Sequence, residues 1–278
     1  AHNLDEDQFE IVVISTTGDR ITDRPLADIG GKGLFTKEIE DALFAGSIDL
    51  AVHSMKDMPA LVPEGLAFAA VLPREDARDA FISASAATLL NLPQGAVLGS
   101  SSVRRNAQAL RLRPDLKSIQ FRGNVETRLR KLNEGVADAT FLAVAGLNRL
   151  GLSHHISAIM EMDQMLPAVA QGAIGIEINN SNKKARQLVE AIHHKQTGIA
   201  IQCERAFLAT LEGSCRTPIA GHATVEGTSV SFRGQALTLD GRDSFEHDIK
   251  GTSKDAVAMG IEAGERVKAM GGEKLLYA

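Results

Sequence analysis

Residues 96–111, AVLGSSSVRRNAQALR, read as a short apolar strand, a serine loop and a helix. The strand covers 96–99 and the helix 102–111, with a serine at the N-cap, a position that favours a hydroxyl. The same alternation runs outward in both directions. Downstream come a strand at 119–121, a helix at 125–133 and a strand at 139–144. Upstream come strands at 9–15, 48–53 and 66–72, and a helix at 34–45 that ends at Gly46, a residue suited to a left-handed C-terminal cap. This βαβα series predicts an α/β fold with a mostly parallel sheet flanked by helices. An internal echo fits two similar lobes. Gly46-Ser47-Ile48-Asp49 and Gly135-Val136-Ala137-Asp138 each follow a helix and precede a strand.

Beyond residue 182 the pattern changes. Helices at 183–193 and 198–211 precede strands at 223–225, 230–239 and 245–249, with a hairpin turn at Asp240-Gly241 and a last helix at 253–270. Strands followed by a helix predict a separate small α+β domain.

The 278 residues allow two or three domains, and a hydrophobic content of 44% is that of a globular protein. Two cysteines and no tryptophan argue against a secreted disulfide scaffold and favour a reducing, cytoplasmic setting. No apolar window reaches the roughly 18 residues of a membrane span. The acidic, polar opening AHNLDEDQFE is unlike a signal peptide. The net charge of −5 conceals an asymmetry: residues 99–150 hold ten Lys/Arg against four acids, +6, which leaves −11 elsewhere. A cationic region in an acidic protein points to an anionic ligand bound locally. Nucleic acid is the weaker reading, because the whole chain is acidic and aromatics are only 4%.

Residues 49–59, DLAVHSMKDMP, form a buried strand that ends in polar side chains. Ligands of open α/β sheets sit beyond the C-terminal ends of strands, so Ser54, Lys56 and Asp57 are placed for chemistry. Asp57 suits a cationic group or a proton, and Lys56 a carboxylate. The plainer alternative is a surface Lys/Asp pair of little worth. Gly99-Ser100-Ser101-Ser102-Val103-Arg104-Arg105 opens a helix with free N–H groups, hydroxyls and forked arginine donors, the makings of an anion site. Its alternative is a serine cap with solvated arginines. Arg122 and Arg128 flank another helix start, and Arg149 follows a strand.

Cys215 lies in Gly213-Ser214-Cys215-Arg216-Thr217-Pro218, where helix breakers put the thiol on a loop and Arg216 favours the thiolate. A functional thiol and a bland loop residue both remain open. Cys203 instead shares a helical stripe with Ala206, Phe207, Thr210 and Leu211 and reads as a small buried hydrophobe. Gly30-Gly31-Lys32-Gly33 lacks P-loop spacing and reads as a ligand-covering loop or an ordinary one. With neither CxxC nor HExxH, no metal is expected.

HSMKDMP, GSSSVRR, FRGNVETRL, AVAGLNRLGL, LPAVAQGAIGIE and GSCRTPIAGHA occur in this order. Together they resemble the porphobilinogen deaminase (hydroxymethylbilane synthase) family, from about Ile11 to the C-terminus. The resemblance implies two α/β lobes like those of type II periplasmic binding proteins, with a cleft between them, plus a small C-terminal α+β domain. The expected boundaries are 1–73 with 172–192 for the first lobe, 78–167 for the second, basic lobe, and 196–278 for the C-terminal domain. It implies a cytoplasmic, monomeric transferase of tetrapyrrole (heme) biosynthesis that acts on porphobilinogen, with no nucleic-acid or membrane partner. It also implies a dipyrromethane cofactor on Cys215, as an anchor rather than a nucleophile of each cycle.

Residue by residue, Asp57 matches the family's catalytic carboxylate. Lys56, Asp57, Ser102, Arg104, Arg105, Arg122 and Arg128 match cofactor contacts. Arg149, Ser54, Ser100, Gln171, Lys32 and Arg205 are expected at the substrate. Two departures stand out. The family's usual N-terminal glycine–serine/threonine–arginine motif does not precede Ala1, so an upstream segment is expected, and Asp28 stands where some relatives have Lys. A non-catalytic two-lobe binding protein for a small polycarboxylate is the alternative reading.

Overall fold

A computed structural model describes residue 2 and residues 4–20, 36–213 and 217–276. Among the described residues the strands form three sheets. The first has the order β1-β8-β2, with β1 Ala51–Ser54, β2 Leu66–Val71 and β8 Ile174–Asn179. Helix α1 (Lys37–Ala45) covers it, and its buried Leu43 packs with Ala51 and Leu66.

The second sheet has the order β5-β4-β6-β3-β7. Its strands are β3 Asp79–Ser83, β4 Val97–Gly99, β5 Lys117–Ile119, β6 Ala139–Ala143 and β7 Ala158–Ile159. Helices α2 (Val103–Leu112), α3 (Val125–Asn133) and α4 (Val144–Arg149) connect them. Phe81 and Phe141, neighbours across β3 and β6, meet with ring centroids 5.8 Å apart in the core.

After α5 (Lys183–Glu190) and α6 (Lys195–Thr210) comes an antiparallel meander. It joins β9 Ile219–Glu226, β10 Ser229–Leu237 and β11 Ser244–Thr252, and α7 (Ala256–Gly271) follows. Its core is built by α6 and α7 on one face of the meander, with Phe207 against Phe232 at 5.1 Å.

The expected α/β alternation and the α+β tail are both present, but the lobes are not mostly parallel. In each lobe sheet one strand opposes its neighbours: β8 in the first, β3 in the second. Each is the strand on which the chain enters that lobe from the other: β3 opens the second sheet, and β8 returns to the first. Among the described residues only the pairs β4–β5 and β4–β6 are parallel.

Residues 9–15 form no strand. Ile11 and Val13 are 89% and 90% exposed, and no described strand takes up the backbone groups of this segment. The internal echo is real as cap geometry. Gly46 (φ 67°) ends α1 and Gly135 (φ 75°) follows α3, each leading into a strand.

The chain crosses between the lobe sheets twice, at 72–78 and 160–173, and the two crossings are bonded to each other. Glu75 N–H donates to the Gly172 carbonyl at 3.1 Å, and Arg74 Nε to the Gln171 carbonyl at 2.9 Å. Gly172 has φ 85°, and a Cβ there would lie 2.5 Å from the Glu75 carbonyl oxygen, so only glycine permits this approach.

Candidate active site

The first lobe delivers its polar residues at the end of β1. The chain passes from Ser54 into a single 3-10 turn, Met55–Asp57. Met55 and Met58 are three residues apart, so they eclipse one another, and both are buried. Met55 is fixed further by its N–H on the Ala173 carbonyl at 3.0 Å. With the methionines turned inward, Lys56 and Asp57 are left facing out.

Lys56 makes no hydrogen bond or ion pair to a described residue, and its side chain is exposed. Desolvation by neighbouring protein atoms still pushes its ammonium pKa down, against the opposing pull of Asp57. Ser54 and Lys56 line a cavity of about 70 Å³ with Arg149, Ala145 and Gly146 of α4 and with Gln171 and Gly172 of the second crossing. Its walls therefore come from both lobes and from a chain segment that joins them.

At the start of β3 lies a residue that the sequence reading missed. Asp79 is fully buried. Its Oδ2 accepts from Arg104 Nη1 at 2.8 Å, and its Oδ1 accepts from Arg105 Nη2 at 2.6 Å and Nε at 3.0 Å. Gln171 Nε2 adds a fourth donor at 3.0 Å. Burial alone would raise the Asp79 carboxyl pKa; the two guanidiniums overcome it and hold the group well below the usual carboxylate range.

Both arginines reach further acceptors, Arg104 the Leu166 carbonyl and Arg105 the Phe141 carbonyl. Arg105 thus uses Nε, Nη1 and Nη2, while Arg104 uses only Nη1 and keeps Nε and Nη2 free of described partners. The serine loop is likewise engaged. Ser102 Oγ caps α2 by accepting from Arg105 N–H at 3.4 Å, Ser100 Oγ accepts from Ser102 N–H, and Ser101 Oγ accepts from Phe121 N–H. The segment 99–105, expected as an anion site, opens a capped helix whose arginines bind an internal carboxylate, with Arg104 Nε and Nη2 left without described partners. Linear spacing cannot show an acid 25 residues away.

Arg128 Nε donates to the Gly123 carbonyl at 2.8 Å. Its pKa is lowered to about 10, first by burial and then by Arg105 and Arg122, with Asp57 opposing. These mutual influences place Lys56, Asp57, Arg104, Arg105, Arg122 and Arg128 in one electrostatic neighbourhood. Arg149 is exposed at the cleft wall. In this group six cations, Arg149 included, face the carboxylates of Asp57 and Asp79, and Asp79 is spent on the buried pair. The surplus suits a ligand with several carboxylates, such as linked pyrroles that each bear an acetate and a propionate.

Arg205 does not line this cavity. Its Nη2 donates to the carbonyls of Pro59 and Ala60, so the expected substrate contact is here a contact to the chain itself. Lys32, Asp28 and the glycine loop at 30–33, together with Ser214, Cys215 and Arg216, lie outside the described residues. Cys203 is fully buried, and burial pushes its thiol up to about 12, in line with a packing role.

Two more buried groups escaped the sequence reading: Glu204, which binds Arg74, and the His53–Glu177 pair at 3.0 Å. The one legible signal for Glu204 is an acid beside Cys203 inside an apolar helical stripe. A larger cavity, about 250 Å³, opens between α2, residues 162–166 and the β10–β11 hairpin. Its Arg233 is already paired with Asp163 and Glu246, and it takes no residue from the first lobe.

The periplasmic VFT2 domain of BvgS from Bordetella pertussis overlaps 56% of this chain and 65% of its own at 14% identity, with a TM-score of 0.35. The periplasmic aliphatic sulphonate binding protein SsuA from Escherichia coli overlaps 63% and 57% at 14% identity, with a TM-score of 0.38. The fold assignment rests on the strand topology and not on these partial overlaps. A porphobilinogen deaminase of Paracoccus denitrificans is 55% identical over 268 residues, 96% of this chain and 86% of that protein. Residues 1–187 match the model of the porphobilinogen deaminase dipyrromethane cofactor binding domain, and residues 199–269 that of the porphobilinogen deaminase C-terminal domain. With both models in chain order and a relative this similar, the chain belongs to the porphobilinogen deaminase family.

Proposed function

We propose that Asp57 is the catalytic carboxylate of this enzyme and that the cleft above the Met55–Asp57 turn is where its substrate reacts. The activity is that of the family. The enzyme is a transferase that joins four porphobilinogen units head to tail, loses one ammonia at each addition, and frees hydroxymethylbilane by hydrolysis. A bound dipyrromethane supplies the primer whose free α-carbon is the nucleophile. Cys215 would hold it covalently, with Lys56, Ser102, Arg104, Arg105, Arg122 and Arg128 about its carboxylates. Arg149, Ser54, Ser100, Gln171 and Lys32 would face the incoming substrate.

The chain's own part in the reaction follows from charge. Arg149 and Lys56 orient acetate and propionate groups through charge-assisted hydrogen bonds. As ammonia departs from porphobilinogen, positive charge develops toward the pyrrole nitrogen. A fixed carboxylate at that position stabilises the charge and relays the proton that must leave when aromaticity returns. The Met55 and Met58 anchors keep Asp57 from following its own preferred solvation, so little reorganisation is needed at the moment of reaction.

The observation that carries this reading is the outward-facing Lys56–Asp57 turn, whose Lys56 shares a cavity wall with Arg149 of the other lobe. Asp57→Ala should keep the mass of the bound dipyrromethane and lose turnover by about 100-fold or more. Cys215→Ser should lose that mass altogether. Normal turnover by Asp57→Ala would end the catalytic assignment.

Three further readings belong here. The domain boundaries 1–73 with 172–192, 78–167 and 196–278 are supported by the three sheets lying within them. A monomer without a nucleic-acid partner is supported by the acidic net charge, and sedimentation in the presence and absence of DNA tests both. No helix among the described residues is long and apolar enough to cross a membrane. A cytoplasmic location rests on the low cysteine count and is tested by fractionation.

A further inference from the structure

Arg205 stands on α6, ten residues before Cys215, yet its side chain works in the first lobe. Nη2 donates to the carbonyl of Pro59 at 2.7 Å and to that of Ala60 at 2.9 Å. Among the described residues no other donor reaches these two oxygens. The segment they belong to follows Asp57 directly and has neither helical nor sheet bonding until β2 begins at Leu66. The guanidinium lies over the Phe68 ring, 5.3 Å from its centroid.

Phe68 in turn meets the edge of His53 at 6.3 Å, and His53 Nε2 sits 3.0 Å from Glu177 Oε2. Glu177 is fully buried, and its other oxygen has no partner among the described residues. Burial lowers the Arg205 pKa, and the negative charge of Glu177 opposes that shift. The guanidinium is thus held by two carbonyl dipoles and by the face of Phe68, whose other neighbour, His53, binds the buried Glu177 carboxylate.

From this geometry we infer that Arg205 is a positioning residue for the reaction, which fixes the Lys56–Asp57 turn to the helix that leads to Cys215. The inference rests on the roles given above to Asp57 and Cys215. One guanidinium nitrogen bridges two successive carbonyls while the planar group lies over a ring; an ammonium can reach the carbonyls but offers no plane to stack. Without Arg205, the stretch after Asp57 would lose the hydrogen bonds that, among the described residues, tie it to α6, and the carboxylate would lose that support. A displacement of about 1 Å at a reacting group costs on the order of 100-fold in rate.

The test uses the full chain, expressed with its cofactor, as Arg205→Gln and Arg205→Lys beside Asp57→Ala. Intact mass, kcat and KM for porphobilinogen, and the masses of enzyme-bound intermediates are measured for each. Positioning predicts a normal cofactor mass in both Arg205 variants and KM within about twofold of the parent. It also predicts a kcat loss of about 10- to 100-fold in Arg205→Gln and partial recovery in Arg205→Lys.

Raised KM with unchanged kcat would overturn it and make Arg205 a substrate ligand. Unchanged kcat and KM in Arg205→Gln would overturn it outright, as would a kcat loss equal in both variants. Should Arg205→Gln not fold, Arg205→Lys and Phe68→Leu, which removes the ring and leaves both hydrogen bonds, carry the same comparison. Asp57→Ala separates the layers. If it turns over normally, the reading of Asp57 fails; if it is inactive while Arg205→Gln keeps its kcat, only the positioning role fails.

Discussion

Glu204 and Arg74, 130 residues apart in the chain, meet as a doubly hydrogen-bonded pair with the carboxylate fully buried. Glu204 also accepts the backbone N–H groups of Ala170 and Ala223, at 2.6 and 2.8 Å. One side chain on α6 thereby ties the first crossing between the lobes, the second crossing and the C-terminal meander. Ala170 holds a left-handed φ of 63° there, a conformation that costs a non-glycine residue about 1 kcal/mol or more and persists only where its surroundings enforce it.

Removing one partner of this pair leaves the other buried and unmatched, at a cost of about 3–5 kcal/mol. Glu204→Gln should therefore lower the melting temperature by roughly 10 °C for a chain of this size. Arg74→Ala should do the same, and the double variant should lose less than the sum of the two. Scanning calorimetry of the three variants checks this; additive losses would mean that the residues act separately.

Asp79 predicts a pH effect. Its folded pKa lies below the value near 3.9 of an unfolded aspartate, because Arg104 and Arg105 outweigh the cost of burial. A carboxyl with a depressed folded pKa stabilises the fold above its unfolded pKa, and that contribution drains away as pH falls toward the folded value. The parent should lose stability steeply below about pH 4. Asp79→Asn should be less stable at pH 7, with two uncompensated guanidiniums, and should lack this component of the acid slope. Denaturant midpoints between pH 3 and 7 give the comparison.

The two cysteines predict opposite reactivities. Cys203 is buried, with a thiol pushed up to about 12, so almost no thiolate forms at neutral pH. In Cys215→Ser the remaining thiol should resist a disulfide reagent in the folded protein and react fully, as one equivalent, after denaturation. Rapid labelling of the folded variant would show that Cys203 is accessible.

What the sequence reveals here is what is local. The helix at 125–133 begins and ends where expected, because Asn124 caps it by accepting from Thr127 N–H and its apolar residues face one way. Gly46 and the Asp240-Gly241 turn are equally legible, since one backbone conformation decides each. The strand at 9–15 is misread because an apolar, β-branched run states a preference for pairing and not the presence of a partner. The direction of β3 and β8 depends on where the chain has come from, which no window of residues contains.

The site divides in the same way. Lys56 and Asp57 are legible because a buried strand ends in them. The role of Arg104 and Arg105 is not, because it turns on Asp79, and nothing in GSSSVRR points to an acid on another strand. The structural contacts of Arg205 are not legible for a related reason: its acceptors are backbone carbonyls, which every residue carries and no motif records.

Lys56 allows the substrate contact to be tested without removing charge. Desolvation lowers its pKa below the ordinary value near 10.4, so its ammonium loses a proton at a less alkaline pH than a fully solvated lysine. If that ammonium holds a carboxylate of the substrate, kcat/KM of the parent should fall on the alkaline side as Lys56 is neutralised, since this ratio reports the free enzyme. Porphobilinogen also carries an amine that titrates, so the decisive comparison is between two enzymes and one substrate. Lys56→Arg keeps a positive charge that does not titrate in this range. Its profile should keep any limb that belongs to the substrate and lose the limb that belongs to the enzyme, so the ratio of the two profiles should change with pH. A ratio that stays flat into the alkaline range would mean that the charge of Lys56 plays no part in binding porphobilinogen.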